Sequence, residues 1–329
     1  MSSKKRSLKY ALAINEALTL AMERDKSVFL IGQGVKSPWY VGQTCMNLLE
    51  RFGESRVIDT PVSENAVTGA AVGASIAGMK SIVVHPRLDF MFYAFDPIIN
   101  EAANWFYMNG GKCSVPVVFW GIINRGGEQA AQHSQAIHSL FAHIPGLKVV
   151  MPSTPYDAKG LMTAAIFDPD PVVFIDDRWL YNIEGHVPEY IYEVDIGKAA
   201  IRKKGEDITV IASSYLAHQA IIAGELLEKE SVSVEIIDLR TIKPIDKNTI
   251  LSSVSKTGKL LIVDGGWKSF GISAEVAALV AENIMFDLNG SIKRLALPDV
   301  PAPASQNLEK EYYIDHNKIV VTIKEMLAK

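Results

Sequence analysis

The chain has few cysteines, no large excess of positive or negative charge and no long apolar runs, and each of these absences excludes a class of protein. Cys45 and Cys113 are the only cysteines among 329 residues, which excludes a multiply disulfide-bonded scaffold and favours a reducing compartment. A net charge of −4 provides no electrostatic attraction for nucleic acid or an anionic membrane. The basic residues Lys4-Lys5-Arg6 lead into an amphipathic segment with acidic residues, not into the apolar core of an export signal. We expect a cytoplasmic protein that binds neither nucleic acid nor membrane.

Strand-like and helix-like segments, by contrast, alternate along the whole sequence. Hydrophobic residues make up 48% and charged residues 21% of the chain, as in globular proteins, and the length suffices for two domains. Short apolar strands are predicted at residues 28–31, 81–84, 115–120, 148–151, 172–175, 208–212, 232–238 and 260–264. Helical periodicity between them predicts mostly parallel sheets covered by helices. Because the pattern breaks at residues 182–195, we predict two α/β domains, 1–190 and 191–329.

Residues 57–78, VIDTPVSENAVTGAAVGASIAG, form the segment around which the first domain is organised. A short apolar strand leads to Pro61, which fixes its own φ and restricts the residue before it, so the chain turns there. A helix follows, and its small residues form two neighbouring stripes: Gly69, Gly73 and Ala77, and Ala66, Ala70 and Ala74. Glycine costs about 1 kcal/mol relative to alanine inside a helix, so these stripes predict close packing against another backbone or helix.

Glu64 stands at the start of this helix and has two interpretations. An acidic side chain there is favoured by the partial positive charge of a helix N-terminus, and most such glutamates have no other role. The alternative is a functional carboxylate presented at the mouth of the helix. The spacing alone favours the structural interpretation and leaves the functional one open.

A second group of polar residues follows the strand at 81–84. The chain continues there as HPRLDF, which places His85, Arg87 and Phe90 directly beyond a predicted parallel strand. Ligand sites of open α/β sheets lie at the carboxyl ends of their strands, so this segment predicts a site. The polar loop at residues 124–135 carries His133, which could serve that site or be a solvated loop histidine.

Two glycine-bearing segments follow strands without forming a nucleotide-binding motif. Gly32-Gln33-Gly34 lacks a third glycine at the required offset and a helix start directly behind it, so we predict a turn. Gly265-Gly266 precedes a predicted helix and could hold an anion on free amide groups. Two glycines also fit a tight turn, which is the interpretation we favour.

Seven segments spread over nearly the whole chain resemble one family. They are RFGESRVIDTPVSE at residues 51–64, DFMFYAFDPIINEAA at 89–103, QHSQ at 132–135, PGLKVVMPSTPYDAKGL at 145–161, DPVVF at 170–174, DLRTIKPID at 238–246 and VDGGW at 263–267. With these segments the chain resembles the beta subunit of the thiamine-diphosphate-dependent component of 2-oxo-acid dehydrogenases, of the pyruvate or branched-chain type, in the transketolase-like superfamily.

The resemblance implies a pyrimidine-binding domain followed by a transketolase C-terminal-like domain. In that family the glutamate matching Glu64 hydrogen-bonds N1′ of the cofactor's aminopyrimidine and promotes deprotonation of the thiazolium C2, as a carboxylate in a water-poor pocket can. The aromatic residue matching Phe90 offers a flat surface to the pyrimidine ring. The histidine matching His133 interacts with the acyl-bearing intermediate or the incoming acceptor, which suits a side chain whose charge changes near neutral pH.

The resemblance also implies a partner subunit, because one motif of the complete cofactor site is missing. Gly-Asp-Gly, which normally introduces the Mg²⁺ and diphosphate ligands, occurs nowhere in the sequence. We therefore expect a separate alpha-type subunit to hold Mg²⁺, with thiamine diphosphate shared at the interface of an α2β2 heterotetramer. Related subunits bind potassium, so carbonyl groups around Ala165, Asp168 and Asp170 could hold K⁺, although the Asp-Pro-Asp-Pro segment there also fits an ordinary turn.

Several departures from the family pattern bear on which substrate the protein binds. The family's Gly-Glu-Asp-Val is Gly-Gln-Gly-Val at residues 32–35, so an acidic residue near the site is missing. His85 and Arg87 replace the usual end of the strand before the pyrimidine aromatic, and Arg125 is displaced from an Arg-x-Pro-x-Gly pattern. These residues and Arg178 are the substrate candidates, because a guanidinium fork matches a carboxylate or a phosphate. Each arginine alone could also be a surface charge.

The predicted function is decarboxylation of a 2-oxo acid and transfer of the acyl group to a lipoyl-bearing acyltransferase. A second hypothesis keeps the cofactor and changes the acceptor: the small subunit of a split transketolase, or another acyl-transferring carboligase. A third hypothesis is a non-catalytic scaffolding subunit. The joint presence of Glu64, Phe90 and His133 argues against the third.

Overall fold

A computed structural model describes residues 6–328, in which strands and helices alternate along the chain. The strands are β1 (Ser7–Lys9), β2 (Val28–Gln33), β3 (Val57–Thr60), β4 (Lys80–His85), β5 (Val117–Ile123), β6 (Lys148–Val150), β7 (Val172–Asp177), β8 (Glu184–His186), β9 (Ala200–Lys203), β10 (Ile208–Ala212), β11 (Val234–Asp238), β12 (Thr241–Lys243), β13 (Leu260–Trp267) and β14 (Lys293–Leu297).

The α-helices are α1 (Tyr10–Arg24), α2 (Pro38–Val41), α3 (Leu48–Phe52), α4 (Glu64–Ile76), α5 (Ala103–Met108), α6 (His138–His143), α7 (Pro155–Phe167), α8 (Ser214–Glu228), α9 (Lys247–Thr257), α10 (Ile272–Ile284), α11 (Gln306–Tyr312) and α12 (His316–Leu327). Short 3-10 helices span Gly42–Cys45, Leu88–Ala94, Arg178–Leu180 and Met285–Asp287, and a π-helix spans Asp96–Ala102. None of the helices in this part of the chain is long and apolar enough to cross a lipid bilayer.

Two sheets form the framework of the molecule. The first has the strand order β12-β6-β7-β5-β4-β2-β3, and the second has the order β14-β13-β10-β11-β9. Within both sheets neighbouring strands are parallel, except that the edge strands β12 and β9 run antiparallel to β6 and β11. The prediction of two mostly parallel sheets covered by helices is therefore confirmed. β12 lies beyond residue 190 in the sequence and yet completes the first sheet.

Three apolar clusters hold these layers together. One lies between the first sheet and the helices α1 and α7, and includes the fully buried Trp120 and Phe174. Another lies between the second sheet and the helices α8 and α12. The largest joins the two halves of the chain, since it contains Phe141 of α6 together with Ile262 of β13 and Val276 of α10. The two sheets therefore share part of one core.

Two predicted segments differ from the structure. The helix predicted in the family segment after Phe90 begins as a π-helix, and the α-helical conformation starts only at α5. The tight turn predicted at Gly265-Gly266 is wrong, because both residues lie inside β13. Close packing explains the glycines: a Cβ on Gly265 would lie 2.8 Å from Nη1 of Arg125, and a Cβ on Gly266 would lie 3.1 Å from Cε1 of His138.

Helix α4 packs on one side and leaves its other side at the surface. Its buried residues are Thr68, Ala71, Val72 and Ser75. Four members of the small-residue stripes are exposed: Ala66, Ala70, Gly73 and Ala77. In the part of the chain that the structure describes, nothing lies within 4 Å of a Cβ placed on Gly69 or Gly73. The close packing predicted for the stripes is thus not made within this chain.

Candidate active site

The carboxyl ends of three neighbouring strands border a pocket at the edge of the first sheet. Gln33 ends β2, Thr60 ends β3 and His85 ends β4, and all three residues line the pocket. The remaining lining residues are Pro61, Ser63, Glu64, Val67, Val84, Pro86 and Phe90. The pocket holds about 270 Å³ of empty space, part of which opens to solvent. Glu64, His85 and Phe90, which the sequence predicts as site residues, thus meet in one shallow pocket.

Glu64 reaches this pocket from the first turn of α4. The chain turns at Pro61 after β3, so that Glu64 becomes the first residue of the helix. Its side chain is half-buried. Among residues 6–328 its carboxylate has neither a hydrogen-bond partner nor an ion-pair partner within the chain. The carboxylate is therefore free to bind a group that enters the pocket.

Phe90 and His133 form an edge-to-face pair beside the same pocket. Phe90 lies in the 3-10 helix Leu88–Ala94, and His133 lies in the loop that connects β5 to α6. Their ring centroids are 5.4 Å apart and their ring planes meet at 84°. Both side chains are half-buried. The structure therefore brings His133 to the pocket that Glu64 and Phe90 line.

Asp89 fixes the loop that carries His133, and sequence reasoning missed this role. Oδ1 of Asp89 accepts hydrogen bonds from the backbone N–H of Gln135 at 3.1 Å and from its Nε2 at 2.8 Å. Burial raises the pKa of Asp89, although the hydrogen bonds from Gln135 act in the opposite direction. The position of Asp89 next to Phe90 was the available signal, but nothing in the sequence linked it to Gln135.

A buried pair between the two halves of the chain anchors His138, where the same loop enters α6. Nε2 of His138, the first residue of α6, lies 3.1 Å from Oδ1 of Asp264 on β13. Asp264 also accepts hydrogen bonds from the backbone N–H groups of Gly266 and Ser273. Burial acts to raise the pKa of Asp264, but the hydrogen bonds from His138 and the two amides outweigh it and lower the pKa. The sequence singles out neither His138 nor its partner 126 positions away.

His85 lies at the base of the pocket as a neutral side chain. It is buried, and its Nε2 lies 3.3 Å from Oγ1 of Thr68 on α4. Burial lowers the pKa of His85 to about 4. At neutral pH the ring can therefore form hydrogen bonds but carries no charge with which to attract a substrate anion.

The three candidate arginines occupy different surroundings. Arg125 is buried, and its Nη2 lies 2.9 Å from Oδ2 of Asp177, so its charge is compensated away from the pocket lining. Arg87 follows β4 and donates from Nη1 to the carbonyl oxygen of Pro86 at 2.7 Å. Arg178 follows β7 and donates to carbonyl oxygens of α2. Arg87 and Arg178 thus lie at the same sheet edge as the pocket, whereas the charge of Arg125 is compensated by Asp177 at the end of a neighbouring strand.

The residues suggested for K⁺ face a lysine. Nζ of Lys148 lies 2.7 and 2.8 Å from the two carboxylate oxygens of Asp168 and 3.0 Å from Oδ2 of Asp170. Oδ1 of Asp168 also accepts the backbone N–H of Asp170 at 2.9 Å, as in an ordinary Asp-initiated turn. Because an ammonium group compensates both carboxylates, an ion here would depend on carbonyl oxygens, including that of the buried Ala165.

Family models match both halves of the chain. The transketolase pyrimidine binding domain matches residues 6–184, and the transketolase C-terminal domain matches residues 197–319. A solved structure described as split gene transketolase, inactive beta4 tetramer, aligns with a TM-score of 0.79 over 98% of each chain, at 18% sequence identity. At that identity the likeness shows the fold alone.

Several relatives match this chain over almost their whole length. 2-Oxoisovalerate dehydrogenase subunit beta of Bacillus subtilis is 43% identical over 97% of this chain and 98% of its own. Acetoin:2,6-dichlorophenolindophenol oxidoreductase subunit beta of Cupriavidus necator is 42% identical over 93% of this chain and 94% of its own. Pyruvate dehydrogenase E1 component subunit beta of Rickettsia felis is 39% identical over 95% of this chain and 96% of its own. The resemblance seen in the sequence is confirmed, and the chain belongs to the transketolase-like family of 2-oxo-acid dehydrogenase beta subunits.

Proposed function

We propose that this chain is the beta subunit of a thiamine-diphosphate-dependent 2-oxo-acid dehydrogenase and holds the aminopyrimidine half of the cofactor. The observation that carries the proposal is one pocket lined by Glu64 and Phe90, with His133 packed against Phe90. Relatives named as 2-oxoisovalerate and pyruvate dehydrogenase subunits support the substrate class.

The pocket suits a flat heteroaromatic ring with a basic nitrogen. Phe90 offers an apolar surface for stacking, and Val67 and Val84 supply further apolar wall. Glu64 offers a carboxylate that can share a proton with a ring nitrogen. When bound, thiamine diphosphate supplies a nucleophilic carbon and an electron sink for carbon–carbon cleavage.

In this proposal each residue of the chain has a defined task. Glu64 holds a proton at the pyrimidine nitrogen, and Phe90 fixes the orientation of the ring. His133 donates a proton to, or accepts one from, the group that receives the acyl unit, which we propose to be a lipoyl-bearing acyltransferase. Asp89 and Asp264 hold the loop on which His133 is placed. Precise placement matters because a displacement of about 1 Å can reduce the rate of a reaction about a hundredfold.

A partner subunit completes the site in this proposal. An alpha-type subunit would supply the Mg²⁺ ligands and the diphosphate site, and the assembly would be an α2β2 heterotetramer. The shallow, partly open shape of the pocket supports a second subunit as its other wall. The exposed small residues of α4 begin directly beside Glu64 and allow a second backbone to approach closely. K⁺ bound by carbonyl groups around Ala165 remains part of the proposal.

We also propose that the domains divide at residue 190 and that the protein works in the cytoplasm. Residues 187–199 contain neither helix nor strand, which supports a linker there, although β12 crosses back into the first sheet. The two cysteines, one of them exposed, are compatible with a reducing compartment.

Acetoin is a second candidate substrate because two relatives are named as acetoin oxidoreductase subunits. They come from Cupriavidus necator and Bacillus subtilis and are 42% and 40% identical to this chain. The transketolase hypothesis gains no comparable support, since the split transketolase shares only the fold at 18% identity. Acetoin differs from a 2-oxo acid in having no carboxylate to lose.

Reconstitution with an alpha-type subunit from the same organism would separate these functions. The complex would receive thiamine diphosphate and Mg²⁺ and be tested with pyruvate, 2-oxoisovalerate, acetoin and a ketose phosphate, each with an artificial electron acceptor. We expect carbon dioxide release from at least one 2-oxo acid. Oxidation of acetoin without carbon dioxide release would favour the second candidate. Ketose consumption without decarboxylation would favour the transketolase hypothesis, and no turnover of any substrate would favour the scaffold.

A further inference from the structure

Arg87 and Arg178 lie at the carboxyl edge of the first sheet, near enough for their charges to interact. Arg87 follows β4 by two residues and Arg178 follows β7 directly, with only β5 between these strands. The short helix α2 covers them, because Nη2 of Arg178 donates to the carbonyl oxygens of Trp39, at 3.1 Å, and of Tyr40. We name Arg87 and Arg178 the arginine pair.

Neither member of the arginine pair has a carboxylate partner. Within residues 6–328 no ion pair shorter than 4.0 Å involves either guanidinium, and the Nε atom of each is buried without a hydrogen-bond partner. Arg125, two residues beyond β5, differs from both in having a carboxylate partner, since its Nη2 lies 2.9 Å from Oδ2 of Asp177. A buried N–H group without an acceptor is destabilising, and more so when it is charged. The arginine pair therefore lacks acceptors that a bound anion would supply.

The carboxyl groups nearest to the arginine pair compensate its charge only in part. Burial lowers the pKa of Arg87, and the charge of Arg178 lowers it further. Asp176, which accepts a hydrogen bond from Trp120 Nε1 at 3.1 Å, has its pKa raised by burial to about 7. The pKa of Asp89 is also raised by burial. Asp176 therefore carries only part of its negative charge near neutral pH, and the pair retains net positive charge.

The arginine pair is also connected to the cofactor pocket. Nη1 of Arg87 donates to the carbonyl oxygen of Pro86, a residue of the pocket lining, and the carbonyl oxygen of Arg87 accepts the backbone N–H of Phe90 at 3.1 Å. The same turn of the chain thus carries Arg87 and the aromatic ring of the pocket. Guanidinium groups present N–H donors in the geometry that carboxylate and phosphate oxygens accept.

We propose that the arginine pair is an oxyanion site that binds the carboxylate or phosphate group of a substrate beside the cofactor pocket. That the bound anion belongs to a substrate rests on the function proposed above, whereas the binding of an oxyanion does not depend on that function. The site selects anionic substrates, such as 2-oxo acids or phosphorylated acceptors, and offers nothing to a neutral molecule such as acetoin.

Anion binding can be measured on the full chain alone, without partner or cofactor. Thermal unfolding would be followed with inorganic phosphate, pyruvate or chloride at equal ionic strength, and with acetoin, because a ligand of the folded state raises the midpoint. We expect phosphate or pyruvate to raise the midpoint above the chloride value, and acetoin to leave it unchanged. A shift with pyruvate alone indicates a carboxylate site, and a shift with phosphate alone indicates a phosphate site.

Variants of the arginine pair provide the decisive comparison. Arg87→Gln and Arg178→Gln should each raise the apparent Kd for the anion at least about tenfold, since each removes charge-assisted hydrogen bonds. Arg87→Lys keeps the charge without the fork and should bind with intermediate affinity, which controls for misfolding. Arg51→Gln, at an exposed arginine paired with Glu23, should bind like the wild type. Equal effects of phosphate, pyruvate and chloride on the wild type, or undiminished binding by both glutamine variants, would overturn the proposal.

Kinetics of the reconstituted complex provide a separate test of selectivity. With an anionic substrate, Arg178→Gln should raise KM about tenfold or more while kcat changes much less, because binding is lost and the chemical groups remain. A neutral substrate should show no change in KM. If the complex turns over nothing while the isolated chain binds anions, the proposed function fails and the oxyanion site stands.

Discussion

The residues of the pocket differ in how deeply they are buried and therefore in whether they carry a charge. Glu64 remains half-buried and unpaired among the described residues, as a group that must exchange a proton with a ligand has to be. His85, a short distance away in the same pocket, is buried and neutral. The difference arises from position: Glu64 opens a helix at the surface, whereas His85 ends a strand between packed layers. We therefore expect proton transfer at Glu64 and not at His85.

Replacement of His85 by glutamine should reduce the acid sensitivity of the fold. The pKa of about 4 in the folded protein lies below the unfolded value of about 6.5. The unfolded chain therefore binds more protons between these values, and stability that is present above pH 6.5 is lost as the pH falls towards 4. Between pH 7.5 and pH 5 the wild type should lose about 2 kcal/mol more than His85→Gln. Urea unfolding at the two pH values measures both losses, and equal losses would contradict the assignment of a neutral histidine.

Sequence patterns singled out the residues to which we assign chemical roles. Glu64, Phe90 and His133 stood in recognisable motifs, and the structure places Glu64 and Phe90 in the lining of one pocket and His133 against Phe90. Asp89 and His138 were missed because their roles depend on partners far away in the sequence, Gln135 and Asp264. Burial, which sets the charge of His85, likewise depends on tertiary packing and leaves no local signal.

Among the larger elements, the loop between β5 and α6 depends on two contacts at its carboxyl-terminal end. Asp89 of the first half binds Gln135, and Asp264 of the second half binds His138. His133 lies just before these two anchored residues. The loop can therefore position His133 without secondary structure of its own, provided that both carboxylates remain in place.

Loss of Asp264 should cost more stability than loss of its histidine partner. Asp264→Ala removes the hydrogen-bond partner of His138 and also leaves the amides of Gly266 and Ser273 without acceptors, so we expect a loss of about 3–5 kcal/mol. His138→Ala leaves both amide bonds intact and should cost less. Chemical denaturation measures the two values, and a double-mutant cycle measures their coupling. Amide hydrogen exchange at residues 126–137 should increase in both variants, and unchanged exchange there would contradict the role of this pair in holding the loop.

Substitutions of Gly73 on the exposed face of α4 should affect folding and assembly in opposite ways, since alanine should stabilise the isolated chain and leucine should weaken its assembly with a partner. Gly73→Ala should stabilise the isolated chain by about 0.5–1 kcal/mol, since alanine is the better helix former and no described atom lies within 4 Å of the added Cβ. If a partner backbone packs on this face, Gly73→Leu should weaken association with the alpha-type subunit. Denaturation of the chain and sedimentation of the complex test the two parts. Unimpaired assembly of Gly73→Leu would show that the partner binds elsewhere.

Helical and strand periodicity predicted most of the elements, because each needs only local information about which face is buried. The small-residue stripes of α4 cannot be explained from local information alone. The sequence indicated close packing of these stripes, but no other part of the described chain packs closely on Gly69 or Gly73. The packing partner that we propose is another molecule. The glycines of β13 were misassigned to a turn because their reason lies in Arg125 and His138, which approach from another part of the fold.

In the whole molecule, the two sheets are joined by shared elements and by buried charges. Asp157 of α7 pairs with Arg202 and with Arg240, and its Oδ1 lies 3.0 Å from Nη1 of Arg240. β12 adds an antiparallel edge to the first sheet beside β6, and one apolar cluster contains residues of both halves. These connections place the pocket and the His133 loop in a fixed relation.

A fragment of residues 1–190 should therefore not reproduce the stability of its half of the protein. It lacks β12 and so exposes the edge of β6, which invites intermolecular strand pairing, and it uncovers the apolar surface that α9 and α10 bury. We expect aggregation or a markedly lower unfolding midpoint than in the full chain, as measured by light scattering and circular dichroism. Addition of residues 191–329 in trans should restore solubility in part. A monomeric fragment as stable as the full chain would contradict the shared core.

The resemblance to a family predicted the two-domain α/β fold correctly, because motifs spread along the whole chain constrain the whole chain. It did not predict that β12 crosses between the sheets or that Arg125 pairs with Asp177 at the end of the neighbouring strand β7. Such contacts between distant segments have no local pattern, and only the assembled fold shows them.

Turnover by the reconstituted complex with Glu64→Gln most directly tests the role of the pocket carboxylate. Glutamine keeps the shape but cannot exchange the proton, so we predict that the complex still binds thiamine diphosphate while kcat falls at least about a hundredfold. Glu275→Gln is the matched control, because Glu275 is an exposed acidic residue in the first turn of α10, a helix of 13 residues like α4, and its kcat should stay within about twofold of wild type. Near wild-type turnover by Glu64→Gln would contradict a proton-transferring carboxylate at this pocket and leave Glu64 only the ordinary role of an acidic residue at a helix N-terminus.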